Sequence, residues 1–112
     1  MLIPTTLALS PRRIIFPSFR QFSMIIPDTM EVIRRNPERK QIILIGAETQ
    51  VCIFQTYMDL KERNYDVFLP VDAITSIRKW ERTIALQRLQ QEGALLTSFE
   101  GIVFDMLRDA KD

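Results

Sequence analysis

The chain contains one cysteine and no histidine, so whatever nucleophilic chemistry it offers depends on where that cysteine lies. Cys52 closes the stretch Gly46-Ala47-Glu48-Thr49-Gln50-Val51-Cys52, between an apolar run and a segment of helical spacing. A thiolate is a far better nucleophile than a thiol, so a reactive cysteine needs surroundings that favour the anion. The first turn of a helix supplies them through its free amides and its dipole. Thr49 is the candidate N-cap, which puts Cys52 in that turn and favours the thiolate. The competing reading is a small apolar filler, because free cysteine is among the most buried residue types. Asp72 follows the next strand and faces the same end of the sheet. It is a candidate substrate contact, with organisation of the local turn as the alternative. Glu48 either meets a ligand or caps a neighbouring helix.

The residues that are missing narrow the chemistry further. Without histidine, no Cys-His or Ser-His pair can form within this chain. One cysteine and no imidazole leave no thiolate cluster or His-containing metal site, and no metal or other cofactor is expected. The net charge is +1, and acidic residues interleave with basic ones after residue 28, so no nucleic-acid partner is expected. No run approaches the roughly 18 apolar residues needed to span a bilayer, so no membrane partner is expected either. A single cysteine excludes an intrachain disulfide and fits a reducing compartment. Gly46, Gly93 and Gly101 are scattered, which argues against a Gly-rich nucleotide-binding loop.

Residues 1–27 form a separate region, expected to be an irregular N-terminal extension. They carry Arg12, Arg13 and Arg20 and no acidic residue, a composition that resembles a mitochondrial targeting segment. Pro4, Pro11 and Pro17 interrupt any long amphipathic helix there. The cytoplasm is the compartment adopted, with the mitochondrion as the alternative.

The elements that must position Cys52 begin after Pro27. Asp28 followed by Glu31 predicts a helix N-cap, and Asn36-Pro37 stops that helix. Residues 41–46 hold four consecutive apolar residues, the mark of a strand buried on both faces in a parallel sheet. Residues 50–63 read as a helix with Ile53, Tyr57 and Leu60 inward, and Asn64 as its left-handed exit. Residues 66–71 are a second strand, with Pro70 near its end. Ser76 or Thr75 caps a third helix reaching about residue 91, with Ile77, Trp80, Ile84 and Leu89 as its apolar stripe. Residues 94–97 are a short third strand. Thr97-Ser98-Phe99-Glu100 matches a capping box that opens the last helix. The expected fold class is therefore α/β: a partial doubly wound parallel sheet of about three strands and four helices. Ligands in such sheets bind beyond the carboxyl ends of the strands, which selects residues 46–52, 71–76 and 97–100.

These segments carry a specific resemblance. Gly46-Ala47-Glu48-Thr49-Gln50-Val51-Cys52-Ile53, then Gln55-Thr56 and Asp59-Leu60, resembles the nucleophile segment of the isochorismatase-like cysteine hydrolases. Phe22-Ser23-Met24, Val71-Asp72-Ala73, Ala85-Leu86, Arg88-Leu89, Gly93-Ala94 and Glu100-Gly101 follow in the same order and spacing, so the resemblance covers about residues 20–110. It implies a doubly wound sheet of about six parallel strands, of which residues 28–110 supply an N-terminally truncated half-domain. It implies hydrolysis of a small amide or an enol-ether-type bond, with Cys52 as nucleophile. It also implies a cis peptide at Ala47–Glu48 and an oxyanion site formed by the backbone amides of Glu48 and Cys52.

The same resemblance exposes gaps. Amidase members of the family pair the cysteine with an aspartate and a lysine. This chain has no carboxylate before Asp28 and no lysine before Lys40. Arg20 stands near the lysine position and is a candidate substrate contact, but it cannot transfer a proton near neutral pH. Ile77 and Phe99 replace an arginine and a serine common among relatives. The strand at residues 41–45 would be left with an open edge. Two functions are therefore expected to compete. One is a catalytically impaired hydrolase acting on a small-molecule substrate. The other is a non-catalytic interaction protein whose half-sheet pairs with a second copy or a full-length relative.

Overall fold

The computed structural model describes residues 22–108. Three parallel strands form the sheet in the order β1-β3-β5: β1 is Gln41–Ile43, β3 is Asp66–Pro70 and β5 is Leu95–Thr97. A smaller parallel pair lies at their carboxyl end, with β2 (Gly46–Ala47) beside β4 (Ile74–Thr75). The helices are α1 (Pro27–Arg34), α2 (Phe54–Glu62), α3 (Lys79–Gln91) and α4 (Phe99–Leu107). The expected α/β class with three main parallel strands and four helices is the architecture observed.

Register explains how the core forms. Ile42 pairs with Val67, and Leu69 with Leu96, so one face of the sheet gathers Ile42, Leu44, Val67 and Leu69. Ile33 of α1, Tyr57 and Leu60 of α2 and Leu89 of α3 close over that face. The opposite face carries Ile43, Phe68 and Leu95 and is covered less well. There α4 places buried Ile102 over the sheet and leaves a cleft of about 550 Å3 lined by Ile43, Phe68, Ile102 and Met106. This corrects the expectation of a strand buried on both faces: Ile43 and Ile45 are only half-buried, because a single helix shields their side.

Several element starts also differ from expectation. The first helix opens at Pro27, one residue before Asp28, because proline lacks an N–H and fits the first helical position. Its turn is tied by Thr29, whose hydroxyl accepts from Ile26 N at 3.1 Å and reaches the Met24 carbonyl. Packing therefore begins ahead of the expected boundary at residue 28. Met24, Ile25 and Ile26 are buried, and Met24 N donates to Thr56 Oγ1 at 2.8 Å. At α4 the cap is Ser98, which accepts from Gly101 N at 2.9 Å, and not Thr97. The Thr75 or Ser76 cap for α3 is likewise not formed. That helix starts at Lys79 after extended Arg78 without a side-chain cap, because Ser76 is engaged elsewhere. Asn64 does leave α2 in the left-handed region, with φ 65°.

The expected stripe on α3 holds only at Leu89, which is buried beside Ala85; Ile77 is 90% exposed, Trp80 58% and Ile84 47%. The helix presents a different side to α2, where the Arg88 guanidinium lies 4.1 Å from the centre of the Phe54 ring. Among the described residues no helix is long and apolar enough to cross a membrane.

Candidate functional site

The chain leaves β1 extended and passes through β2 before turning. Leu44 N still donates to Phe68 O at 3.0 Å, which carries the sheet's direction to the turn. Gly46 has φ 129°, a conformation that disfavours any residue with a Cβ. The Ala47–Glu48 peptide is cis, as the resemblance implied.

Thr49–Ile53 then forms a π-helical turn that runs straight into α2. The carbonyl of Glu48 accepts both Val51 N at 3.1 Å and Ile53 N at 3.2 Å. Local π geometry of this kind recurs at functional sites in helices. Cys52 sits in this turn with 6% of its surface exposed. Thr49 is not the cap. Its hydroxyl donates across to Thr75 O at 2.9 Å and its amide donates to Ser76 Oγ at 3.2 Å, so it joins the turn to the end of β4.

Two opposing influences act on the sulfur. Burial is the larger and raises the thiol pKa above its ordinary value. Hydrogen bonding from the main chain of Glu48, and more weakly from that of Cys52 itself, lowers it, while the charge of Glu48 raises it. The net direction is upward. The expected preference for thiolate is thus corrected: the turn does offer hydrogen bonds, but desolvation outweighs them.

The remaining candidate residues do not converge on the sulfur. The Glu48 carboxylate accepts from Ile77 N at 3.1 Å and from Gln50 Nε2 at 3.0 Å, so it caps the segment entering α3. Asp72 Oδ1 accepts from Phe99 N at 2.9 Å and holds the first residue of α4, the organising role rather than an open contact. Arg20 lies outside the described residues. Among the described residues no three His, Cys, Asp or Glu side chains come together as a ligand set.

Arg82 carries no sequence signal for this site, and Ser76 takes a part other than the capping expected of it. Arg82 donates from Nε to Ile74 O at 3.0 Å and from Nη2 to Val71 O, fixing the loop that faces the cysteine turn. Ser76 donates to Gln50 Oε1 at 2.8 Å. No local motif marks the arginine, whose partners are carbonyls on another element.

Against known proteins, the isochorismatase domain family matches residues 7–101. Isochorismatase domain-containing protein 2 of Xenopus laevis is 42% identical over 90 residues, covering 80% of this chain and 44% of the relative. The MAR1 ribonuclease structure from Caenorhabditis elegans superposes with a TM-score of 0.67 at 30% identity, over 80% of this chain and 52% of that one. The YcaC gene product of Escherichia coli, described as an octameric hydrolase of unknown specificity, gives a TM-score of 0.68 at 27% identity, over 76% of this chain and 42% of that one. The chain thus spans about half the length of the proteins it matches.

Proposed function

The chain belongs to the isochorismatase domain family, and on that premise we propose that it carries a cysteine-hydrolase nucleophile site of low activity. The observation that supports this most is the placement of Cys52, buried in a π-helical turn that follows a parallel strand, where the Glu48 main chain acts to lower the thiol pKa. In this reading the Cys52 sulfur attacks the carbonyl carbon of a small amide. The amides of Glu48 and Cys52 hold the oxygen that becomes negative. The C–N bond then breaks, the amine leaves with a proton, and water hydrolyses the thioester. Arg20 is proposed as a substrate contact, while Asp72 orders the turn that opens α4. The cytoplasm is the proposed compartment, in keeping with an unpaired thiol.

The low activity follows from proton traffic. Among the described residues the only side-chain charge that acts on the sulfur is Glu48, and it opposes the thiolate. Among the described residues no lysine or arginine contributes to lowering the thiol pKa. Residues of a catalytic set act as a unit, so loss of partners is expected to lower turnover by on the order of 10⁴-fold. Assay of the full chain on nicotinamide-like amides and on isochorismate should show weak turnover that Cys52→Ser removes. Turnover unchanged in Cys52→Ser would sink the nucleophile assignment. Fast turnover lost in Cys52→Ser would sink the impairment.

A second reading draws on a different observation. The outer edge of β1 has no paired strand among the described residues, and an open edge invites pairing. In this reading the half-sheet binds another copy of the chain or a full-length relative. Light scattering on a size-exclusion column should then report a mass above 13.1 kDa at micromolar concentration, and a strict monomer argues against it.

A further inference from the structure

We propose that Ser76 is a positioning residue for the Cys52 turn, its hydroxyl locking Thr49 and Gln50, the two residues that open the π-helical turn carrying the cysteine. The proposal rests on the reading of Cys52 as a nucleophile. It concerns a residue that touches neither the sulfur nor any part of a substrate.

The geometry is a closed ring. A serine hydroxyl has one proton to donate and lone pairs to accept with. Here it accepts from Thr49 N at 3.2 Å, and its proton goes to Gln50 Oε1 at 2.8 Å. With the Gln50 oxygen so occupied, its amide nitrogen faces the other way and donates to Glu48 Oε2 at 3.0 Å. The Glu48 carboxylate also accepts from Ile77 N, one residue after Ser76, at 3.1 Å. Thr49 Oγ1 donates to Thr75 O, one residue before Ser76. Residues 48–50 are therefore held by residues 75–77 through four hydrogen bonds, two of them on the one hydroxyl, and the Gln50–Glu48 contact closes the ring.

The ring also has an electrostatic use. Gln50 and the Ile77 amide place donors on the Glu48 carboxylate, the charge that works against a thiolate at Cys52. Removing the Ser76 hydroxyl frees Gln50 to turn away. The Glu48 peptide then loses its fixed aim and its carboxylate loses a donor. Both changes make the thiolate harder to form.

The test is the pH profile of iodoacetamide labelling of Cys52 in the full chain, with thermal melting run alongside. Ser76→Ala should move the labelling midpoint upward and slow labelling at pH 8 by about two- to tenfold, the worth of one hydrogen bond. Ser76→Thr, which keeps the hydroxyl, should restore the parent profile. A folded Ser76→Ala protein with the parent midpoint overturns the proposal, as does a Ser76→Thr protein that behaves like Ser76→Ala. If Ser76→Ala fails to fold, Gln50→Met breaks the same contact from the half-buried side of the ring and should shift the midpoint in the same direction; an unshifted midpoint there overturns the proposal equally. Labelling needs no turnover. A shifted profile with no hydrolysis in any variant would therefore remove the hydrolase reading and leave the positioning role standing.

Discussion

Replacing Leu69 by alanine should destabilise the chain by about 2–5 kcal/mol, the range for emptying a well-packed aliphatic site. Leu69 lies on β3, the middle strand, with none of its surface exposed. It belongs to the cluster that also holds Leu44, Leu60 and Leu89, so its side chain joins the sheet to α2 and α3. The surrounding atoms come from a parallel strand and from helices anchored elsewhere, which limits collapse into the vacated space. A domain of this size has only about 5–15 kcal/mol in total, so the substitution removes a large share. Urea unfolding measures it, with a lower midpoint and an unchanged slope as the expected pattern. A Phe104→Ala control, on the exposed side of α4, should change little.

Glu48→Gln should make Cys52 more reactive at neutral pH, because it removes the charge that opposes the thiolate while keeping an oxygen to accept from Ile77 N. The direction of the linked stability effect can be worked out. The Cys52 thiol pKa is raised in the folded chain, chiefly by burial. Its contribution to stability is then fully present below the unfolded thiol pKa and is lost as pH rises through the folded value. Stability should therefore fall at alkaline pH, and Cys52→Ser should abolish that part of the loss. Tyr57 is also raised, again mainly by burial, and it adds a similar loss at higher pH. Comparing alkaline melting of the parent with that of Cys52→Ser separates the two groups.

The parts of the fold that were legible in the sequence depend on short-range signals. The apolar run at residues 41–46 marked the strand, and the Gly46 to Cys52 stretch marked the turn after it. Asn64 marked a left-handed exit, which it makes. The features that escaped were decided by contacts between distant segments. Ser76 carries a typical capping side chain, yet its hydroxyl serves residues 49 and 50, which are 27 and 26 positions away. Thr49 looked like a cap for the same reason and instead binds Thr75. Ile77, Trp80, Ile84 and Leu89 have helical spacing, but spacing gives a stripe without saying which neighbour it meets, and only Leu89 of the four is buried. The α3 backbone is turned so that Ala85 and Leu89 face inward. The thiol pKa moves against the local expectation because the helix-start effect can be read from neighbouring residues, whereas the burial of Cys52 depends on tertiary packing.

The central claim is that Cys52 sits in a hydrogen-bonding turn that is nevertheless set against the thiolate. The measurement that tests it most directly is the pH dependence of Cys52 alkylation in the native chain, compared with the same chain unfolded in urea. The native midpoint should lie above the unfolded one, and Glu48→Gln should lower it. A native midpoint below the unfolded one would contradict it, and would mean that the turn activates the cysteine by itself.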